Sequence, residues 1–146
     1  MLDKDLIKRK IAFIARELVA LAKYKEMTIE ETAQNFETQA LVERLLERVI
    51  TRGIDINKHI IANAAEKTEN LEPVIKYRET FLRLADIGVY SREFAEKIAP
   101  SAGFRNALVH EYNNIDKKIL QKSIKEAIEE YNEYGKYVLA FLDKQK

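Results

Sequence analysis

Two histidines, His59 and His110, are the side chains best suited to proton transfer near neutral pH. His59 lies in an isoleucine-rich stretch without an acidic or metal-binding partner at helical spacing, so a packed or edge residue is expected there. His110 lies in the polar segment GFRNALVHEYNN. His110 is therefore the candidate for catalysis.

The residues before His110 add groups that bind phosphate. On an ideal helix Asn106 and His110 share a face, and Arg105 lies on the adjoining edge. Phe104 and Leu108 share another face, which can anchor the segment in a core. Arg offers a permanently charged fork to phosphate oxygens, and His can move protons. The spacing fits a phosphate-handling site, and it also fits a helix end with ordinary surface polar groups.

Motifs for metal or nucleotide chemistry are absent from the sequence. It contains no Glu-x-x-His, no His-Glu-x-x-His, no P-loop and no glycine-rich dinucleotide fingerprint. It also contains no Cys, which excludes disulfides, thiolate zinc sites and cysteine nucleophiles and is compatible with a reducing cytosol. We therefore expect neither a metal nor a cofactor.

Charge is nearly balanced, with 25 basic and 24 acidic residues and a net charge of +1. The chain therefore has no global field for nucleic acid, and any RNA binding requires a local basic cluster. One charged stretch is interpreted as solvated helix surface with i,i+4 pairs: Glu43, Arg44, Glu47, Arg48 and Arg52. Three aromatic residues near the C-terminus are interpreted as bundle or dimer surface: Tyr131, Tyr134 and Tyr137.

The elements that must position these residues are predicted to be helices. Charged residues make up 34% of the chain and hydrophobic ones 47%, with only 4 Gly and 2 Pro, which favours long helices with solvated faces. The 146 residues suit one domain spanning 1–146. The N-terminal sequence MLDKDLIKRK lacks the apolar stretch of a signal peptide or membrane span, so a soluble, cytoplasmic protein is expected.

The first two predicted helices are long. The first has acidic residues at its start and an apolar stripe: Asp3, Asp5, Ile7, Ile11, Ile14, Leu18 and Leu21. Thr28 and Glu31 fit a capping box that begins the second, which is expected to run to about Ala65. Its apolar positions are Leu41, Leu45, Val49, Ile56 and Ile60. Gly53 lies inside this helix, where we expect a packing contact or a bend.

Shorter helices are predicted to follow a polar loop at residues 66–73. A third helix carries Phe81 and Leu84 and stops at Gly88. Ser91 caps a fourth, which contains Phe94 and Ile98.

Pro100 and Gly103 are expected to interrupt this fourth helix just before the candidate site. Asp116 is the expected N-cap of a long final helix, marked by Ile119, Ile124, Ile128, Tyr131, Val138 and Phe141 or Leu142. With no credible strand, the predicted fold is all-α, an antiparallel bundle of four to five helices.

The run from Arg105 to Tyr112, RNALVHEY, matches an R-x4-6-H-x-Y signature in its four-residue spacing. Two stretches that precede it in the chain also match, in the same order: ALVERLLERVI at 40–50 and YRETFLRLADIGV at 77–89. The motif itself lies in the third matching stretch, GFRNALVHEYNNID at 103–116. Through these stretches the chain resembles the HepT-type HEPN toxins of HEPN/MNT toxin–antitoxin systems. The resemblance covers most of the chain and is most specific up to Tyr112.

This resemblance implies a metal-independent ribonuclease with Arg105 and His110 in the active site and Asn106 as an assistant. The RNA 2′-OH would attack the adjacent phosphate, with proton transfers by titrating groups and with Arg105 stabilising the phosphorane charge. Acid and base roles need two such groups, and each chain offers one well-placed His. A homodimer that brings both motifs into one cleft would supply the second.

The resemblance also assigns a role to Tyr112, as acceptor of AMP from a cognate MntA-type nucleotidyltransferase antitoxin. The added bulk and negative charge would oppose RNA binding. Tyr112 could instead be a packing residue that holds the end of the helix. Two functional alternatives also remain open: a non-catalytic HEPN protein that binds a nucleotide or serves as the substrate-binding subunit of a nucleotidyltransferase, and a structural helical dimer.

Overall fold

The computed structural model describes residues 2–67, 76–110 and 116–145, and every regular element in these ranges is an α-helix. In chain order they are α1 (Lys4–Ala22), α2 (Ile29–Gln34), α3 (Phe36–Lys67), α4 (Tyr77–Ile87), α5 (Arg92–Ile98), α6 (Pro100–His110) and α7 (Lys117–Asp143). Two of them, α2 and α5, have 6 and 7 residues, and the other five are longer. The predicted all-helical bundle is confirmed. No described helix is long and apolar enough to cross a membrane.

Four predicted helix boundaries are confirmed by their hydrogen bonds. The hydroxyls of Thr28 and Ser91 each accept from a backbone N–H three residues later, at 3.1 Å. The Asp116 carboxylate accepts from the N–H of Lys118 at 2.8 Å. Gly88 ends α4 with φ 98°, a left-handed conformation that Gly adopts without steric cost. Most of the predicted loop at 66–73 lies outside the described residues, and residues 66 and 67 still belong to α3.

Two predictions about the helices are wrong, at Asn35 and at Gly103. The helix that begins after Thr28 is divided at Asn35, whose extended backbone ends α2 and whose Oδ1 accepts from the N–H of Thr38 at 3.1 Å to cap α3. The expected interruption is confirmed at Pro100, because α5 ends at Ile98 and α6 begins at Pro100, whereas Gly103 does not interrupt a helix and lies within α6. Proline suits the first position of a helix because its missing N–H would be unpaired there, and one interior Gly costs only about 1 kcal/mol.

The long helix α3 is the centre of the bundle, because α1, α2, α4, α6 and α7 all pack against it. Residue pairs give the directions. Lys10 meets Asp55 and Glu17 meets Arg48, so α1 runs antiparallel to α3. Ile11 lies beside Gly135, while Lys4 near the start of α1 contacts Gln145 beyond the end of α7, so α1 and α7 are antiparallel too.

The close approach expected at Gly53 is confirmed. A Cβ atom at Gly53 would lie 2.9 Å from Cε1 of Tyr131, so α3 and α7 meet where α3 has no side chain. Tyr131 is fully buried, and its ring packs edge-to-face on Phe81 of α4 at 6.4 Å between centroids. Tyr134 is buried as well, whereas Tyr137 is partly exposed. Two of the three C-terminal tyrosines are thus core residues.

A buried polar chain crosses this core from α7 to the start of α4. The Tyr134 hydroxyl donates to Oδ1 of Asn57 at 2.6 Å, and the Asn57 amide donates to the Thr80 hydroxyl at 3.0 Å. The Thr80 hydroxyl donates in turn to the carbonyl of Tyr77 at 2.6 Å. Each buried polar side chain is therefore satisfied, and the first residue of α4 is fixed to the core.

His59 has a structural contact. Its Nε2 accepts a hydrogen bond from the backbone N–H of Asp3 at 3.0 Å, and the Asp3 carboxylate caps α1 by accepting from the N–H of Leu6. The ring is partly buried at the edge of the bundle. This position agrees with the packed or edge role expected from the sequence.

Candidate active site

Helix α6 carries the candidate residues and is anchored at its first turn. The Ser101 hydroxyl lies 2.7 Å from the hydroxyl of the buried Tyr131, which joins α6 to α7. Ala102 and Leu108 are buried, and Phe104 packs partly buried against the core. The anchoring by Phe104 and Leu108 is as predicted. With α6 anchored in this way, Arg105 is partly buried and Asn106 and His110 are exposed.

Arg105 is half-buried and held between two neighbouring helices. Its Nε donates to the Thr51 hydroxyl of α3 at 2.9 Å. Its Cζ lies 5.4 Å from the ring centroid of Tyr77, and Nζ of Lys58 lies 4.4 Å from the same centroid. Because the hydrogen bond is made by Nε to a neutral hydroxyl, the guanidinium keeps its full charge and its two terminal nitrogens for a phosphate group.

Asn106 is exposed and lines a surface cavity of about 620 Å³. The start of α4 forms the opposite wall with Lys76, Tyr77 and Arg78. No acidic residue is among the described residues that line this cavity, so its field favours an anion. Tyr77 connects the cavity to Arg105, because its ring contacts both.

His110 is the last residue of α6 and is exposed. No hydrogen bond joins it to another side chain in the described ranges. On helical geometry His110 lies about 7.5 Å along the axis from Arg105 and about 140° around it. The structure therefore holds Arg105 against α3 and α4, places Asn106 at the cavity between α4 and α6, and leaves His110 exposed at the end of α6. Tyr112 lies outside the described residues.

A second cavity, of about 250 Å³, lies on the opposite side of α6, between α3 and α7. Ser101 and Phe104 of α6 line it, together with Glu130 of α7. Only 9% of Glu130 is exposed, and this burial raises the pKa of its carboxyl to about 7, with the charge of Glu126 adding to the rise and that of Lys97 opposing it. Glu130 titrates near neutrality directly behind the candidate helix.

The arrangement is suited to phosphodiester chemistry. A fixed guanidinium can bind phosphate oxygens and stabilise charge that develops on them, and an exposed imidazole can transfer protons. Within the described ranges no group of three His, Asp or Glu side chains is placed to hold a metal ion.

Sequence reasoning missed the residues that position Arg105. Thr51 is 54 residues away in the chain, and nothing in its local sequence marks it as the hydrogen-bond partner. Tyr77 begins the YRETFLRLADIGV stretch, whose sequence resembles the family but does not indicate a contact with Arg105. Its contacts with Arg105 and Lys58 depend on the packing of α3, α4 and α6, which periodicity alone does not specify.

Comparisons with known proteins agree on one family. The family model described as Ribonuclease HepT-like matches residues 14–138. A curated relative, the tRNA nuclease HepT of Aphanizomenon flos-aquae, is 32% identical over 141 residues, covering 97% of this chain and 92% of the relative.

Solved structures show the same fold at lower identity. The tri-AMPylated Shewanella oneidensis HEPN toxin, solved in complex with an MNT antitoxin, has a TM-score of 0.78 at 23% identity and covers 94% of this chain and 99% of its own. The Bacillus subtilis cytosolic protein YutE has a TM-score of 0.79 at 16% identity, with coverage of 97% and 92%. Together with the family model and the 32% identical relative, the helical bundle and its Arg105 to His110 segment make this chain a member of the Ribonuclease HepT-like family.

Proposed function

We propose that this chain is the toxin of a HEPN/MNT toxin–antitoxin pair and acts as a metal-independent endoribonuclease. The observation that carries the proposal is the guanidinium of Arg105, which a hydrogen bond to Thr51 of α3 holds in place. Arg105 lies on α6, the helix that also carries the exposed His110. Membership of the family supports the reaction class. The name of the 32% identical relative makes tRNA the first substrate to examine.

The proposed reaction needs only groups of the RNA and the protein. The 2′-oxygen bonds to the adjacent phosphorus while the bond from phosphorus to the 5′-oxygen breaks. A histidine takes the proton of the 2′-OH, and a second protonates the leaving 5′-oxygen. Arg105 binds the non-bridging oxygens as their charge increases, and Asn106 assists from the cavity wall.

Two histidines are required, and each chain provides one at the site. We therefore propose a homodimer in which two copies of α6 face one cleft. The position of His110 at the exposed end of α6, away from the Thr51-bound side of Arg105, supports this arrangement, because a second copy can approach there without displacing the core.

A partner enzyme is proposed to restrain the activity. In this scheme an MntA-type nucleotidyltransferase antitoxin transfers AMP to Tyr112, two residues after His110 in the sequence. The adenylate would place bulk and negative charge beside the catalytic histidine and repel the RNA phosphate. The complex of an AMPylated HEPN toxin with its MNT antitoxin, among proteins of the same fold, supports this regulation.

The site is tested by Arg105→Ala and His110→Ala. Each variant is expected to fold and to lose RNA cleavage and growth inhibition, because Arg105 is half-buried and His110 exposed rather than part of the core. Total RNA and isolated tRNA are examined by gel after expression with and without the neighbouring gene. His59→Ala is the control and should keep activity, and a chelator should have no effect. Full cleavage by His110→Ala would exclude the proposed mechanism.

The regulation is tested by coexpression with the cognate nucleotidyltransferase. Mass spectrometry should find one or more AMP units on Tyr112, and modified protein should cleave RNA more slowly than unmodified protein. Tyr112→Phe should block the modification. AMP attached to another residue, or equal cleavage by both forms, would remove Tyr112 from the regulatory role.

A further inference from the structure

A cationic surface lies next to the candidate site, on the outer side of α1 and α3. Thr51, whose hydroxyl holds Arg105, also lines a cavity of about 360 Å³ together with Arg48 and Arg52. Thr51 therefore borders this cavity and also contacts Arg105. The residues of the cavity are spread over two helices, so they form no run in the sequence.

One buried carboxylate fixes two of the arginines. Nε of Arg52 donates to Glu17 at 2.6 Å, and Nε of Arg48 forms an ion pair with the other oxygen at 2.6 Å. The Glu17 side chain is only 7% exposed, whereas Arg48 is 44% exposed. No other acceptor in the described part of the chain takes a hydrogen bond from either guanidinium. Two cations share one anion here, and of the two the Arg48 side chain is the more exposed, at 44% against 19% for Arg52.

The remaining charges show where the positive excess lies. Lys10 pairs with Asp55 at 3.8 Å and Arg44 pairs with Glu47 at 3.0 Å, so these cations are matched one to one. Arg16 of α1 meets no carboxylate among the described residues. On this surface, the positive excess among the described residues is therefore carried by Arg16 and by Arg48 and Arg52, which share the one carboxylate of Glu17.

An aromatic ring lies between these arginines. Phe13 of α1 is 41% exposed, and its ring centroid is 4.7 Å from Cζ of Arg52 and 5.7 Å from Cζ of Arg16. An exposed ring flanked by guanidinium groups is the combination with which proteins bind single-stranded nucleic acid, where bases stack on the ring and phosphates meet the cations.

We propose that Phe13, Arg16, Arg48 and Arg52, named here the arginine track, bind the RNA strand on one side of the phosphate held by Arg105. The inference rests on the proposed ribonuclease function and adds the path of the substrate. RNA is favoured over an acidic protein surface because the exposed Phe13 ring and the guanidinium groups over it are planar groups on which bases stack, beside cations that bind phosphates. The track is a binding surface, so it acts on affinity and not on the chemical step.

Binding is measured without cleavage by using a fluorescein-labelled single-stranded RNA in which every 2′-hydroxyl is methylated. In fluorescence anisotropy at about 0.1 M salt, Arg48→Gln/Arg52→Gln should weaken RNA binding about tenfold. The salt slope, which is the slope of the logarithm of the binding constant against the logarithm of the salt concentration, should fall in magnitude by about 1 to 1.5. Phe13→Ala should weaken binding and leave the salt slope unchanged, because stacking releases no counterions.

Two matched variants separate the track from general effects. Lys8→Gln/Lys125→Gln removes the same charge from exposed residues outside the track and should bind RNA like the unsubstituted protein. Glu17→Gln/Arg48→Gln/Arg52→Gln also removes the carboxylate that the double variant leaves buried and unpaired. It should show the same loss of affinity with normal thermal unfolding, which excludes misfolding as the cause.

The outcomes separate this inference from the proposed function. If the unsubstituted protein cleaves unmethylated RNA and Arg48→Gln/Arg52→Gln binds with unchanged affinity, the track is wrong and the proposed function stands. If the lysine control loses as much affinity, or if the arginine variant loses only antitoxin binding, the track is also wrong. Arginine-dependent RNA binding without any cleavage would support the track and overturn the proposed activity.

Discussion

Thr51 sets the direction in which Arg105 can bind a phosphate. Its hydroxyl oxygen accepts a hydrogen bond from Nε of Arg105, with 2.9 Å between the nitrogen and the oxygen, and the Tyr77 ring lies beside the same guanidinium. Without the hydroxyl, the side chain gains rotamers in which its terminal nitrogens point elsewhere. Loss of this hydrogen bond should weaken the binding of Arg105 to the phosphate in the transition state, where negative charge develops. A hydrogen bond to a charged group contributes roughly 1.5–3 kcal/mol.

Thr51→Val therefore tests a positioning role. We expect kcat for RNA cleavage to fall about tenfold with little change in KM, because Arg105 stays present but is less well oriented. Thr51→Ser restores the hydroxyl and should restore most of kcat. If the serine variant were as slow as the valine variant, the effect would come from packing of the methyl group and not from the hydrogen bond.

Glu130 gives the stability of the protein a pH dependence. Burial raises the pKa of its carboxyl to about 7, above the ordinary value of 4.5 that applies in the unfolded chain. The folded protein thus holds a proton that the unfolded chain has lost between these two pH values. Stability falls as pH rises through this window, and the penalty is complete above about pH 7.

Glu130→Gln should remove this penalty because the amide is neutral at every pH. We expect the Tm to rise by about 3 °C or more at pH 8 and to change by less than about 1 °C at pH 5. Glu26→Gln, the same change at an exposed position, should have no such profile. A Tm difference that is equal at both pH values would show that ionisation of Glu130 is not the cause.

At the scale of elements, the meeting of α3 and α7 depends on Gly53. An added methyl group would lie 2.9 Å from the ring of Tyr131, which is fully buried and fixed by its hydroxyl contact with Ser101. Such overpacking costs about 1–3 kcal/mol, more than the gain of about 1 kcal/mol from placing Ala in a helix.

Gly53→Ala is therefore expected to lower the free energy of unfolding by up to about 2 kcal/mol in denaturant titrations. Gly103→Ala is the matched control on α6, where a Cβ would meet nothing within 4 Å. It should be neutral or stabilising by up to about 1 kcal/mol. Equal effects of the two substitutions would mean that the contact with Tyr131 does not limit position 53.

The elements also show what the sequence could predict. The caps at Thr28, Ser91 and Asp116 were predictable because a capping side chain bonds to a backbone group two or three residues away. The break at Asn35 was not, since the apolar positions that mark this helix begin only at Leu41 and carry no information about residues 29–35. Of the site, the sequence predicted the segment from Arg105 to His110, but not the hydroxyl of Thr51, which only the packing of α3 against α6 brings to Arg105.

At the scale of the whole molecule, charge position matters more than charge total. The net charge of +1 concealed a local excess, because the arginines that carry it come from α1 and α3. From the sequence, Arg48 and Arg52 fit ordinary solvated surface, because i,i+4 spacing indicates only pairs within one helix. Their partner Glu17 belongs to α1, so its sharing between two cations appears only after folding.

The proposed dimer makes a prediction about mixed assemblies. A heterodimer of one unsubstituted subunit and one His110→Ala subunit, purified with two different tags, should retain almost no cleavage activity if each cleft needs both histidines. Subunits that work independently would give half the activity of the unsubstituted dimer. A monomer at micromolar concentration in analytical ultracentrifugation would contradict the composite cleft altogether.

The contact between Gly53 and Tyr131 should also be detectable in the sequences of related proteins. The ring occupies the space that a side chain at position 53 would need, so each position limits what evolution can place at the other. In an alignment of relatives we expect the two columns to covary, with larger residues at 53 only where 131 has lost its ring. Such covariation would make it possible to infer, from aligned sequences, which residues of α3 and α7 lie opposite each other.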